Sequence, residues 1–326
     1  MASPPAVAPY PNTGSFGVPF DTQEDWYRQC MRVTRLPAPP RAQAPAPAAS
    51  CKATDLYYTT LDQGDAAPSA WRQVEACARA SRNDAVLMML YANGFGGKRD
   101  LDRAIQHACR LDTAKAEMEG RIAYLASSAA ATDGQPFDLC DHVTSGYMGS
   151  VCTDLSEARA ERVRSARLDR FAHTLPARAR QPFAQLRKAA EAFARQAASE
   201  VDLSGSGGAG FAIDHTAQRR DEFVQAVLDA ASGKVARAST DEVAALDRQL
   251  NAAYRKLMGT RHDPDASATR IAGSTVTRAD VRITERAWLA YRDAWAPYLA
   301  ASGARADLVS IKALLMRQRI AQLNEM

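Results

Sequence analysis

Cysteine is the residue type here with the most chemistry to offer. Six occur, at 30, 51, 77, 109, 140 and 152, all in the first half of the chain. A cysteine can pair in a disulfide, ligate a metal as its thiolate, or act as a nucleophile. Cys140-Asp141-His142 together with Cys152 comes nearest to a zinc set, but it lacks the CxxC pairs that such sites use. The five histidines, His107, His142, His173, His215 and His262, are scattered, and none stands in an HExxH spacing. Asp214-His215 near a serine has the letters of a hydrolase triad without the strand-turn-helix elbow that exposes the nucleophile. Ser204-Gly205-Ser206-Gly207-Gly208-Ala209-Gly210 has the glycine content of a phosphate loop, but neither its lysine nor a strand leading into it, and reads as a flexible interhelical loop. No metal, cofactor or catalytic residue is assigned, and the chain is expected not to be an enzyme.

Helices must position whatever these residues do. Val243, Leu246, Leu250, Tyr254 and Leu257 recur at steps of three and four, which puts them on one helical stripe. Ile283, Ala287, Tyr291, Trp295 and Tyr298 form a second, widened by Trp288 and Ala294. Leu308, Ile311, Leu315, Arg319 and Leu323 form a third. Gly259 and Asp263-Pro264-Asp265 mark the first connection, and Ser302-Gly303 the second. The aromatic residues read as core, and Asp247, Arg292, Asp293 and Arg319 as charged groups closing the bundle ends. A buried Arg319 needs a carboxylate, and the expected partner is Asp247 or Asp293.

The segments Leu246 to Tyr254, Glu285 to Asp293 and Met316 to Leu323 together resemble the LprI-type lysozyme-inhibitor domain, a small disulfide-bearing helical module of bacterial envelope proteins. The likeness is good over 236–326. A weaker copy precedes it at 136–235, where Phe171 stands in the place of Tyr254. Ala189-Ala190-Glu191-Ala192-Phe193 lines up there with Ala287-Trp288-Leu289-Ala290-Tyr291, and Thr216 to Arg219 with Met316 to Arg319. Two tandem three-helix units follow from that alignment. The resemblance implies an envelope compartment, a protein partner and a structural role for Asp247, Tyr254, Trp288, Tyr291, Arg292, Asp293 and Arg319.

The N-terminal part has a different organisation. Ala85, Leu87, Leu90, Tyr91, Gly94, Gly96, Gly97, Asp100, Ala104, Ile105 and Ala108 follow the order of a SEL-type, tetratricopeptide-related repeat: helix, glycine turn, helix. Asp100 is placed to cap the second helix. Residues 51–80 suggest a further hairpin, with Tyr57, Tyr58 and Leu61 on one arm and Trp71, Val74 and Ala78 on the other. The expected fold is all-α: an N-terminal arm over 1–50 with one short helix (Asp21 to Val33) and a Pro/Ala tether, a solenoid-like region over 51–135, then one or two small three-helix units over 136–235 and 236–326. In such a hairpin Cys51 and Cys77 would meet; Cys140 and Cys152 are near enough in sequence to clip a loop, leaving Cys30 with Cys109. Fifteen pairings of six cysteines are possible in principle.

Composition narrows the class further. With 46% hydrophobic residues and a mean hydropathy of -0.33, the chain can bury cores, and it holds no apolar run long enough to span a bilayer. Met1-Ala2-Ser3-Pro4-Pro5 looks like a start codon before a mature chain whose export signal has been removed, so a periplasmic or secreted location is expected and a lipid anchor on the native N-terminus stays open. Residues 236–326 hold 14 basic and 10 acidic side chains, which accounts for the whole net charge of +4. Nucleic acid is not the expected partner, because the basic residues are interleaved with acids and no nucleic-acid module is present. A basic face suits the acidic cleft of a glycan hydrolase. The first expectation is therefore an inhibitor of, or immunity protein against, a peptidoglycan-cleaving enzyme. Its contact residues would lie on the loop at 204–210 (Ser204, Gly205, Ser206, Gly207, Gly208) and the connection at 259–278 (Arg261, Arg270). The alternative is a periplasmic protein-protein scaffold.

Overall fold

The computed structural model describes residues 23–37, 50–127, 135–259, 269–271 and 273–326. Among them are twelve α-helices and no strand; an isolated bridge joins Arg270 to Thr277. The all-α expectation holds. The chain divides into two compact units, Met1–Gly149 and Ser150–Met326.

The first unit contains α1 (Asp25–Val33), α2 (Ala53–Leu61), α3 (Pro68–Ala80), α4 (Asp84–Asn93), α5 (Leu101–Ala108) and α6 (Lys115–Ala126). From α2 to α6 each helix packs on the next, while α1 lies against α5 and α6. Helix α4 is the central one: Val86, Leu87, Met88, Met89, Leu90 and Ala92 are all buried, so it is apolar on every side and must be covered all round. At the turn that follows, a Cβ on Gly96 would stand 2.8 Å from the Trp71 Cβ, and its φ of +79° is one that glycine alone adopts freely. That close approach lets Trp71 stack on Phe95 at 4.3 Å and meet Tyr57 at 5.5 Å. Asp100 caps α5 by accepting from the Arg103 amide at 3.0 Å. Disulfides join Cys30 of α1 to Cys109 after α5, and Cys51 before α2 to Cys77 of α3. Cys140 and Cys152 are also disulfide-bonded, so no cysteine is free.

The second unit contains α7 (Gly146–Thr174) from Ser150 onward, α8 (Ala177–Ala197), a 3-10 turn (Ala198–Glu200), α9 (Gly208–Ser232), α10 (Thr240–Gly259), α11 (Arg278–Ser302) and α12 (Leu308–Glu325). Helix α11 starts at a reciprocal cap between Thr277 and Asp280, and α12 at Asp307, which accepts from the Ser310 amide at 2.7 Å. The most extensive packing is α8 on α11, followed by α10 on α12 and α8 on α9. Helices from both 136–235 and 236–326 thus line one continuous core. Phe193 of α8 and Tyr291 of α11 stack on each other at 5.8 Å and 9°. Trp288, Trp295 and Tyr298 are buried beside them. Each of these large side chains contributes roughly 1.5–3 kcal/mol by leaving water. Ile283 departs from its expected stripe. It is 47% exposed, and Val281 and Thr284 take the inward positions of the first turns of α11.

Candidate functional site

Residues 201–207 cross one end of the second unit between the 3-10 turn and α9, and residues 269–271 and 273–277 belong to a turn before α11. In that turn the Ile271 amide donates to the Val276 carbonyl at 2.9 Å, and the Arg278 amide to the Thr269 carbonyl at 2.8 Å. The two connections are clipped together. The Asp202 carboxylate accepts from the Thr275 amide and hydroxyl, both at 3.0 Å, and from the Ser204 amide at 3.1 Å and hydroxyl at 2.8 Å. The Leu203 amide donates to Thr275 Oγ1 at 2.6 Å. Hydrogen bonds from the Thr275 backbone, then from Ser204, hold the Asp202 carboxyl at about 2, so the clip is ionised at any ordinary pH. The loop read as flexible from its glycines is thus tied by its own acid. Gly208 completes the arrangement: a Cβ there would stand 2.7 Å from the Leu203 Cα, so the loop folds back on the start of α9 only because that Cβ is missing.

Beneath the clip lies a buried charge triad. Arg319 of α12 is fully buried and donates from both terminal nitrogens to Glu200, at 2.7 and 2.8 Å. Its Nε donates to Glu285 of α11 at 2.9 Å, and its guanidinium lies 5.8 Å from the Phe193 ring centre. Burial opposes its charge, but the hydrogen bonds and charge of Glu200, with those of Glu285, outweigh this and raise Arg319 above its ordinary value. The expected partners, Asp247 and Asp293, are therefore corrected to Glu200 and Glu285. Asp247 lies exposed on α10, where it accepts from Asn251 at 3.1 Å, and Asp293 is exposed and engages its neighbour Arg292 at 2.9 Å. Neither closes a bundle end; both sit part-way along their helices. Glu200 opens the Gly-rich loop, so the same ion pair that stabilises the core fixes where that loop begins.

The clip displays a mixed surface. Ser204, Gly205 and Ser206 are exposed, Gly207 is half-buried and Gly208 is buried. Leu203 and Phe211 flank them at 52% and 63% exposure, high for large apolar side chains. Sequence reasoning missed these two; apolar residues bracketing a glycine run were the available signal. Arg270 is exposed on the neighbouring turn, while Arg261 lies outside the described residues. His215 is half-buried and held down to about 4 by burial, then by the charge of Arg219, so it is neutral near pH 7. Among the described residues no group of His, Cys, Asp and Glu is arranged to hold a metal ion, and no helix is long and apolar enough to cross a membrane.

A second concave feature runs between α10 and α11. This open groove of about 350 Å³ is lined by Leu250, Tyr254, Trp288 and Leu289, with Arg282, Arg286 and Arg292 beside Asp247 and Glu285. Four residues given a structural role in the sequence, Asp247, Tyr254, Trp288 and Arg292, thus come together on one surface. Tyr291 instead faces the shared core.

Residues 228–323, from the last turn of α9 to the end of α12, match the family described as lysozyme inhibitor LprI. The matched segment contains the turn before α11, the α10–α11 groove and Arg319, and stops short of the Gly-rich loop. No curated protein and no solved structure matches the chain.

Proposed function

We infer that this chain is a non-enzymatic binding protein of the bacterial envelope that inhibits, or gives immunity to, a peptidoglycan-degrading hydrolase. The match of residues 228–323 to a lysozyme-inhibitor family is the observation that carries the reading. Disulfide bonds at Cys30–Cys109 and Cys51–Cys77 suit an oxidising compartment such as the periplasm or the cell exterior.

The clipped pair of connections is the element we assign to the enzyme. Glycan hydrolases work with two carboxyl groups flanking the scissile bond, in a cleft that takes a narrow, hydrogen-bonding strand of sugar. A projecting loop suits that shape, and one already tied down loses little entropy on entering it. Gly205 and Ser206 would offer amide and hydroxyl donors to the catalytic carboxylates while Ser204 stays bonded to Asp202, Arg270 would face the acidic rim, and Leu203 and Phe211 would supply apolar area. The test is lysis of cell walls by a panel of purified muramidases and peptidoglycan amidases, with and without the oxidised protein. Stoichiometric inhibition of at least one enzyme is expected, with its loss when residues 204–207 are shortened and helical content is unchanged. Lysis unaffected across the panel would defeat the reading.

The scaffold alternative draws on the first unit, where a groove of about 620 Å³ between α1 and α6 is lined by Trp26, Ile122, Ala123 and the acidic Glu24, Asp25 and Glu119. Partner capture abolished by substitutions in this groove, in a protein that inhibits no hydrolase, would favour it.

A further inference from the structure

We propose that the groove between α10 and α11 is a docking site for an acidic peptide segment of a partner protein. Arg282 and Arg286 stand one helical turn apart on α11, both exposed, and neither forms an ion pair with a described residue. Residues at that spacing are neighbours, so their two guanidinium groups present a row of donors to one stretch of chain. Arg292 lines another side of the groove, its guanidinium 5.4 Å from the Trp288 ring centre and steadied by Asp293. Two acids share the groove with these arginines. Glu285 is paired with Arg319, whereas Asp247, bonded by the neutral Asn251, keeps its charge and offsets part of the arginine charge. Leu250, Tyr254 and Leu289 give the groove an apolar floor suited to aliphatic side chains rather than to a sugar-phosphate backbone.

The first half of the same unit shows arginines that the chain itself neutralises. Helices α7, α8 and α9 border a smaller cavity of about 150 Å³ lined by Arg164, Leu168, Arg187, Ala190, Glu191 and Arg220. There every arginine meets a carboxylate. Arg164 pairs with Glu157, Glu161 and Asp221; Arg187 pairs with Asp169; Arg220 pairs with Glu157 and Glu191. The α10–α11 groove differs: of its two lining acids Glu285 pairs with Arg319, and Arg282 and Arg286 form no ion pair with a described residue. Arg282 and Arg286 are the guanidinium groups that an acidic segment would neutralise.

This assignment serves an inhibitor and a scaffold alike, so it stands or falls separately from the lysis assay. The test is fluorescence anisotropy of a fluorescein-labelled peptide of alternating glutamate and leucine, titrated with the full oxidised chain. A lysine-leucine peptide and a short single-stranded DNA serve as rival probes. The acidic peptide is expected to bind in a salt-sensitive manner, and the R282E/R286E variant to weaken it at least tenfold with unchanged helical content. R282K/R286K, which keeps the charge, retains most of the binding. Equal affinity in the charge-reversed variant would overturn the proposal, as would equal binding of either rival probe through these arginines. So would light scattering showing that the reversal splits a dimer, which would make a second copy of this chain the occupant.

Discussion

Arg319 is the least exposed of the described charged residues in the second unit. It is fully buried, its three donors reach Glu200 and Glu285, and those acids come from different parts of the chain. Removing it leaves Glu200 buried and uncompensated, which typically costs about 3–5 kcal/mol. Arg319→Ala is therefore expected to lose stability by that amount in urea unfolding, and Arg319→Met combined with Glu200→Gln to recover much of it. An Arg319→Ala protein as stable as the parent would show that the triad contributes nothing. His215 gives a pH signature. The unfolded histidine takes a proton near 6.5, whereas the folded one is held to about 4 by burial and then by Arg219. Stability from this group is complete above pH 6.5 and is lost as pH falls from there toward 4. A decline of about 1–2 kcal/mol is expected after allowing for its partial solvent contact, and His215→Gln should flatten it.

At the scale of elements, the clip between the two connections depends on one carboxylate and one missing methyl group. Asp202 is depressed to about 2, so the clip is fully formed above pH 3.8 and releases only as pH falls toward 2. Limited proteolysis should find residues 201–207 protected at pH 4 and cleaved in Asp202→Asn at neutral pH. Equal protection in the variant would mean that Thr275 and Leu203 hold the loop without the charge. Gly208→Ala places a Cβ against backbone rather than against a side chain able to move aside. It is expected to displace the loop and cost about 1–3 kcal/mol, with helix content intact, as circular dichroism and thermal unfolding would show.

For the whole molecule, the two units are fastened by different means. The first unit holds two disulfides with sequence separations of 79 and 26, which close loops worth about 4.5 and 3.5 kcal/mol in the chain-entropy account. The second unit has one disulfide-bonded cysteine, Cys152 near its start, and beyond it relies on its aromatic core and buried arginine. Reduction should therefore destabilise the first unit preferentially, with calorimetry showing one transition moving down by many degrees while the other holds. A single transition shifting as a whole would show that the units unfold together.

The sequence by itself determined the helices, because a repeat of three and four apolar residues has one good solution in water, and it marked the glycine and proline connections between them. It also placed Asp100 as a cap, since a cap is a local hydrogen bond, and its resemblance to a lysozyme-inhibitor family lay in residues close together along three helices. Only the tertiary structure decided that α8 packs on α11, that Phe193 stacks on Tyr291, and that Arg319 takes Glu200, distant in sequence. Helical periodicity says which face is buried and is silent about which other face it meets. The clip of Asp202 on Thr275 and the gathering of Arg282, Arg286 and Tyr254 into one groove were hidden for the same reason: each joins chain segments whose separation only packing removes.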